Sequence, residues 1–215
     1  MSVQDVQADD HVLGDPDAPV TVLEYGDYEC PYCAAAAPVL RRLVAEADGA
    51  VRLVFRNYPL PDVHPHALTA ALAAEAAAAQ GAFWEMHELL FDRQDRLSDA
   101  DLRAYGEELG LAGDRLVGEA AQPFGDKVEA DFAAGLAAEV PGTPTIFVNG
   151  VLFSGRPELA ALQRAVAAAG RSGGDAGLEP GPGRQRSRRI RFRRAQREPL
   201  AEEAQQQGAQ DRCGQ

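Results

Sequence analysis

Apolar positions along the chain change period several times, and each change marks an element. Val20-Thr21-Val22-Leu23-Glu24-Tyr25 is β-branched and mostly apolar, the pattern of a buried central strand. From Pro31 to about Ala47 the spacing turns helical, with Leu40, Leu43 and Val44 on one face and Gly49 as the stop. Val51 to Arg56 alternates and predicts a second strand, ended by Pro59 and Pro61. From about Pro65 to Glu139 the pattern is helical throughout. It divides into His66 to Gln80, Ala82 to Arg93 with Phe83, Met86, Leu89 and Leu90 facing the core, a helix behind a Ser98/Asp101 capping pair, Asp114 to Ala121, and Phe124 to Glu139. Thr145 to Val148 then predicts a strand, Asn149-Gly150 a type I′ hairpin turn, Val151 to Phe153 the return strand, and Glu158 to Ala169 a last helix. Residues 1–19 are polar and punctuated by Gly14, Pro16 and Pro19, which reads as an N-terminal arm. The order β-α-β, helical block, β-β-α predicts an α/β domain over residues 1–170, one sheet with helices on its faces.

Composition narrows the class. The chain has 215 residues, 46% of them hydrophobic, enough for one well-cored domain and some extra. It has no run of about 18 strongly apolar residues, so no membrane span is expected. The start, Met1 to Asp5, lacks the basic and apolar regions of a signal peptide, and a cytoplasmic location is expected from it. Charge divides the chain. Residues 1–170 carry 11 basic and 27 acidic side chains, net −16, and residues 171–215 carry 10 and 6, net +4. The acidic body makes nucleic acid an unlikely partner. The Gly/Pro/Arg/Gln stretch 171–215 buries too little to offset its ordering entropy and is expected to be a disordered, Arg-rich tail. Eight arginines between Arg184 and Arg197 suit an RNA or membrane-phosphate contact, but a floppy appendage without a specific partner is the plainer reading.

The chemistry lies in Cys30-Pro31-Tyr32-Cys33, between the first strand and the first helix. Unpaired N–H groups and the positive end of the helix dipole favour a thiolate at Cys30. Pro31 suits the first helical position, and Cys33 lies one turn on, within reach of a disulfide. Zinc is the competing use of such a pair, but it wants four ligands. The chain has no second pair, since its other cysteine is Cys213, and its nearest histidines are His64 and His66. A structural disulfide closing so short a loop removes little chain entropy. No metal and no organic cofactor are therefore expected. Glu24 is either a solvated group at a strand edge or a buried proton carrier, and the strand alone favours the first. His64 and His66 read as surface or capping residues at a helix start, and Phe83, Trp84 and Met86 as core of the helical block.

These residues resemble the DsbA-like thioredoxin family of thiol–disulfide oxidoreductases. The resemblance is carried by Glu24-Tyr25-Gly26-Asp27-Tyr28-Glu29-Cys30-Pro31-Tyr32-Cys33, by Gly142-Thr143-Pro144-Thr145 with Asn149-Gly150, and by Phe83-Trp84-Glu85-Met86-His87. It covers about residues 10–170. It implies a thioredoxin fold with an all-helical insert, at about 63–139, between the second strand and a cis-proline loop. It implies that Cys30 is the exposed attacking thiol, Cys33 the buried resolving one, and the Thr143–Pro144 bond cis and facing them. It also implies a buried acid at Glu24 that moves a proton. Tyr32, Thr143 and Pro144 then border the substrate, a protein or peptide thiol or disulfide. The thiol reductant or oxidant that recycles the pair is not identified by the resemblance. The alternatives are a glutathione-linked reductase or isomerase and a non-enzymatic binding module on the same fold. One departure is Tyr32, where the best-known periplasmic oxidants of the family carry histidine. Tyrosine adds no positive charge beside the thiolate, which argues against a strongly oxidising potential.

Overall fold

The computed structural model describes residues 5–173. The disordered tail expected from 171 begins later, since residues 171–173 continue the last helix; Cys213 and the rest of that tail lie outside the described residues. Among these residues five strands, β1 (His11–Gly14), β2 (Val20–Gly26), β3 (Val51–Asn57), β4 (Thr145–Val148) and β5 (Val151–Leu152), form one sheet in the order β1-β3-β2-β4-β5. The β-branched run Val20–Tyr25 is central, as its apolarity requires. It pairs in parallel with β3 and antiparallel with β4. The crossover from β2 to β3 is α1 (Pro31–Ala45), which buries Ala36, Leu40 and Leu43 on the sheet face of Val22, Leu53 and Ile146. The last helix, α6 (Leu159–Gly173), adds Leu162 to the same layer.

The arm expected over residues 1–19 is not all arm. His11–Gly14 forms the edge strand β1, antiparallel to β3. Four residues starting with histidine carry too weak a periodicity to be read as a strand alone, and only the exposed edge of β3 supplies their partner. The helical insert therefore follows the third strand, not the second. It comprises α2 (Ala67–Ala78), α3 (Phe83–Asp92), α4 (Asp99–Glu108) and α5 (Gly125–Ala137). The capping pair behaves as expected: Ser98 and Asp101 exchange side-chain-to-backbone hydrogen bonds in a full capping box. The helix expected at Asp114–Ala121 is instead a series of single 3₁₀ turns at Gly113–Arg115, Gly118–Ala120 and Gln122–Phe124. Gly118, at φ +60°, leaves the right-handed helical region there, and Pro123 lacks the N–H that a longer helix needs. At the other end of the sheet, Asn149 and Gly150 both have positive φ, the backbone of the expected I′ turn.

The insert packs on the redox end of the sheet. Phe55, Tyr28, Cys30 and Cys33 share one core with Met86, Leu90, Leu102 and Leu116 of the insert. Leu23, Tyr25, Val54 and Phe147 point to the opposite face, where Phe132 of α5 stacks on Tyr58 at 4.6 Å between ring centroids. The alternation of β2 thus sends Glu24 to the cysteine face and Tyr25 away from it.

Candidate functional site

Cys30 is the N-cap of α1, with φ −72° and ψ 118°, and Pro31 follows at the first helical position. Its carbonyl accepts the N–H groups of Cys33 at 3.0 Å and Ala34 at 3.2 Å. Its sulfur lies against the cis-proline loop, 3.3 Å from the Thr143 carbonyl oxygen, and the Thr143–Pro144 bond is cis. Three of the expected site residues from distant parts of the chain, Cys30, Thr143 and Pro144, are thereby brought together. The two thiols are free, with no disulfide between them.

Exposure corrects one expectation. Cys33 is fully buried, but Cys30 is also buried, only 4% exposed. The Thr143 carbonyl and the core against Tyr28 cover it, so the outward-facing residue of the motif is Tyr32, 74% exposed.

The two thiols have opposite electrostatics. The hydrogen bond from Cys33 pulls the Cys30 thiol down to about 5, against the cost of its burial, and the backbone N–H groups of Cys33 and Tyr32 add to it. Burial pushes the Cys33 thiol far up, and its bond to Cys30 and the charge of Glu24 push the same way. Cys30 is thus a thiolate at neutral pH and Cys33 a thiol.

Glu24 is wholly buried, and neither carboxyl oxygen has a hydrogen-bond partner among the described residues. Burial raises its pKa to about 8, with the Cys30 charge as a second cause. The solvated alternative for Glu24 is excluded by this burial. Pairing with Phe55 on one side and Ile146 on the other closes off both flanks of the carboxyl.

The turn between β2 and α1 is held by residues whose contacts no local pattern signals. Tyr25, Asp27 and Tyr28 are each buried, so none of them borders an exposed groove. Asp27 Oδ1 accepts the Glu29 N–H at 2.8 Å, and Oδ2 accepts the Leu60 N–H at 2.9 Å and sits 2.9 Å from His64 Nδ1. His64, read as a surface or capping residue, is a partner of this turn. Tyr28 Oη meets His87 Nδ1 at 3.1 Å within a cluster of aromatic rings. Burial drives the His87 pKa down to about 3, which keeps its ring neutral. Trp84, expected in the core, is half-buried and donates from Nε1 to the Val12 carbonyl. Gln94, in the turn after α3, donates to the carbonyls of Tyr28 and Cys30. No group of His, Cys, Asp and Glu among the described residues has a metal-holding arrangement.

The family model described as thioredoxin, Thioredoxin_4, matches residues 7–168. A solved thioredoxin-like oxidoreductase from Silicibacter pomeroyi DSS-3 is 31% identical with a TM-score of 0.67, the match covering 77% of this chain and 94% of that one. The thiol-disulfide exchange protein alpha-DsbA2 from Wolbachia pipientis shares the fold, with 20% identity, a TM-score of 0.67, and coverage of 75% of this chain and 88% of that one. Among curated proteins, the Na(+)/H(+) antiporter NhaA 3 of Salinispora tropica is 49% identical over 177 residues, which is 82% of this chain and 26% of that protein. The chain spans about a quarter of the length of the curated relatives it matches.

Proposed function

The chain belongs to the thioredoxin family, in its DsbA-like branch, and on that premise we propose that it exchanges disulfides with protein or peptide thiols through Cys30 and Cys33. The observation that carries the proposal is the asymmetry of the pair: a thiolate at a helix N-terminus beside a buried thiol, with a buried acid behind.

In this reading the Cys30 thiolate attacks one sulfur of a substrate disulfide. A Cys30–substrate disulfide forms, the substrate's own S–S bond breaks, and the first leaving thiolate takes a proton from solvent. Forming that bond removes the Cys30 charge, one of the two causes that raise Glu24. Glu24 then gives up its proton to solvent more readily, and the carboxylate so formed accepts the Cys33 proton. The Cys33 thiolate attacks Cys30, the mixed disulfide breaks, and the second substrate thiolate leaves and is protonated. Two electrons have passed from the dithiol to the substrate, and the enzyme holds a Cys30–Cys33 disulfide. Run backwards, the same steps oxidise a substrate dithiol. Thr143 and Pro144 form the wall against which an extended substrate segment lies, with Tyr32 at its exposed rim. Sodium–proton exchange is no part of this reading. No helix among the described residues is long and apolar enough to cross a membrane.

Insulin reduction driven by a dithiol, and separately by glutathione, tests the proposal. Turnover is expected with the dithiol and is expected to fall to the uncatalysed rate in Cys30→Ser. Cys33→Ala is expected to accumulate mixed disulfides at Cys30, because the resolving step is lost. A folded Cys33→Ala protein that captures no disulfide partner, together with an inert parent, would leave a binding module in its place. The reduction potential measured against glutathione fixes the working direction.

A further inference from the structure

The helical insert reaches back to the redox turn through one side chain. Gln94 sits in the turn between α3 and α4, and its Nε2 donates both hydrogens, to the Tyr28 carbonyl at 2.7 Å and the Cys30 carbonyl at 2.9 Å. The Cys30 carbonyl already accepts two N–H groups from the first turn of α1. A carbonyl oxygen has two lone pairs, so a third donor is not needed to satisfy it. What the third donor adds is a fixed direction. The Gln94 amide is neutral, so it brings no charge to the thiol. It ties the residue before the motif's approach and the N-cap residue itself to a single atom.

The other side of the turn is held separately. Asp27 is bonded to Glu29, Leu60 and His64, and the Cys30 N–H donates to the Asp27 carbonyl at 3.1 Å. The turn is therefore clamped between the loop after β3 and the insert. We propose that Gln94 is a positioning residue for thiol–disulfide exchange, fixing Cys30 at the N-cap of α1, where the positive end of the helix stabilises its thiolate. This gives the insert a part in the chemistry through a residue that touches no substrate. The inference rests on Cys30 being the attacking thiol.

The test uses the reduced full chain in a Cys213→Ser background and reads the pH dependence of Cys30 alkylation. Gln94→Met keeps the length and removes the donors; Gln94→Asn keeps the amide and shortens its reach by one methylene. In the parent the rate should reach half its plateau near pH 5, where Cys30 ionises. Gln94→Met is expected to raise that midpoint by about half to one pH unit, roughly three- to tenfold less thiolate below the midpoint. Gln94→Asn is expected to move it the same way and by less, and it carries the test if Gln94→Met does not fold. A loss of packing alone would lower the melting temperature and leave the midpoint in place. An unchanged midpoint in a folded variant overturns the proposal. Alkylation needs no disulfide substrate, so that result would leave the exchange reading standing. Lost insulin reduction with a normal parent midpoint would count against the exchange reading alone.

Discussion

Glu24 occupies a place that few carboxyls do, on the central strand with no partner for either oxygen among the described residues. Burial sets the sign of its effect. Its folded pKa, about 8, lies above the ordinary 4.5. Below pH 4.5 both folded and unfolded chains hold the proton, and the burial costs little. Between 4.5 and 8 the unfolded chain releases the proton while the folded one keeps it, so stability falls as pH rises. Above 8 the loss is complete. Cys30 in the reduced protein has the opposite sign. Its pKa is lowered from 9.0 to about 5, so its contribution is full above 9.0 and is lost as pH falls through 5. Comparing Glu24→Gln with the parent cancels the Cys30 contribution to first order and isolates the carboxyl. The variant is expected to melt at least about 3 °C above the parent at pH 8 and to match it near pH 4. The same variant should resolve mixed disulfides more slowly, since glutamine accepts no proton from Cys33. Equal melting temperatures at pH 8 in a scanning calorimeter would contradict the buried, raised carboxyl.

At the scale of elements, α5 shows packing overriding propensity. Gly135 lies inside that helix, where alanine is normally favoured by about 1 kcal/mol. A Cβ at 135 would stand 2.6 Å from two ring atoms of Tyr58 and 3.2 Å from Tyr25. Tyr58 is buried between Tyr25 and Phe132, so its ring has little room to yield. Overpacking costs about 1–3 kcal/mol, more than the propensity gain. Gly135→Ala is therefore expected to destabilise the protein by about 1 kcal/mol in urea denaturation, and a more stable variant would show that α5 can move off the sheet. Near the redox turn, the Asn57 N–H donates to Asp131 of the same helix at 3.1 Å, so a displaced α5 also pulls on the end of β3.

For the whole molecule, buried charges join three parts of the chain. Arg56 of β3 donates to Asp10, just before β1, at 2.8 and 2.9 Å, and to Tyr25 Oη at 3.1 Å. Lys127 of α5 meets Asp131, which accepts from Asn57, which in turn donates to Glu75 of α2; Glu75 pairs with His11 of β1 at 2.8 Å. The network ties the edge strand and the insert to the central sheet. Removing one member of a buried pair leaves its partner uncompensated, at about 3–5 kcal/mol. Arg56→Ala is expected to lower the melting temperature by about 10 °C. Arg93→Ala breaks the solvent-screened Arg93–Glu108 pair instead and should leave the melting temperature nearly unchanged. Similar losses in the two variants would mean that the Arg56 network adds nothing beyond a surface ion pair.

The sequence by itself determined the strands β2 to β5, the helical insert, the I′ turn at Asn149-Gly150 and the placement of Cys30 at a helix start. These depend on spacings of two to four residues and on the chemistry of single turns, both of which are local. Tertiary structure decided what lies across the sheet or across the insert. It made His11–Gly14 a strand by offering the edge of β3. It buried Cys30 under Thr143, 113 positions away, and gave it Gln94, 64 positions away, as a second tether. It settled whether Glu24 faces water, because a strand's own pattern sets which side a residue points to, while its burial is set by what the rest of the chain packs on that side.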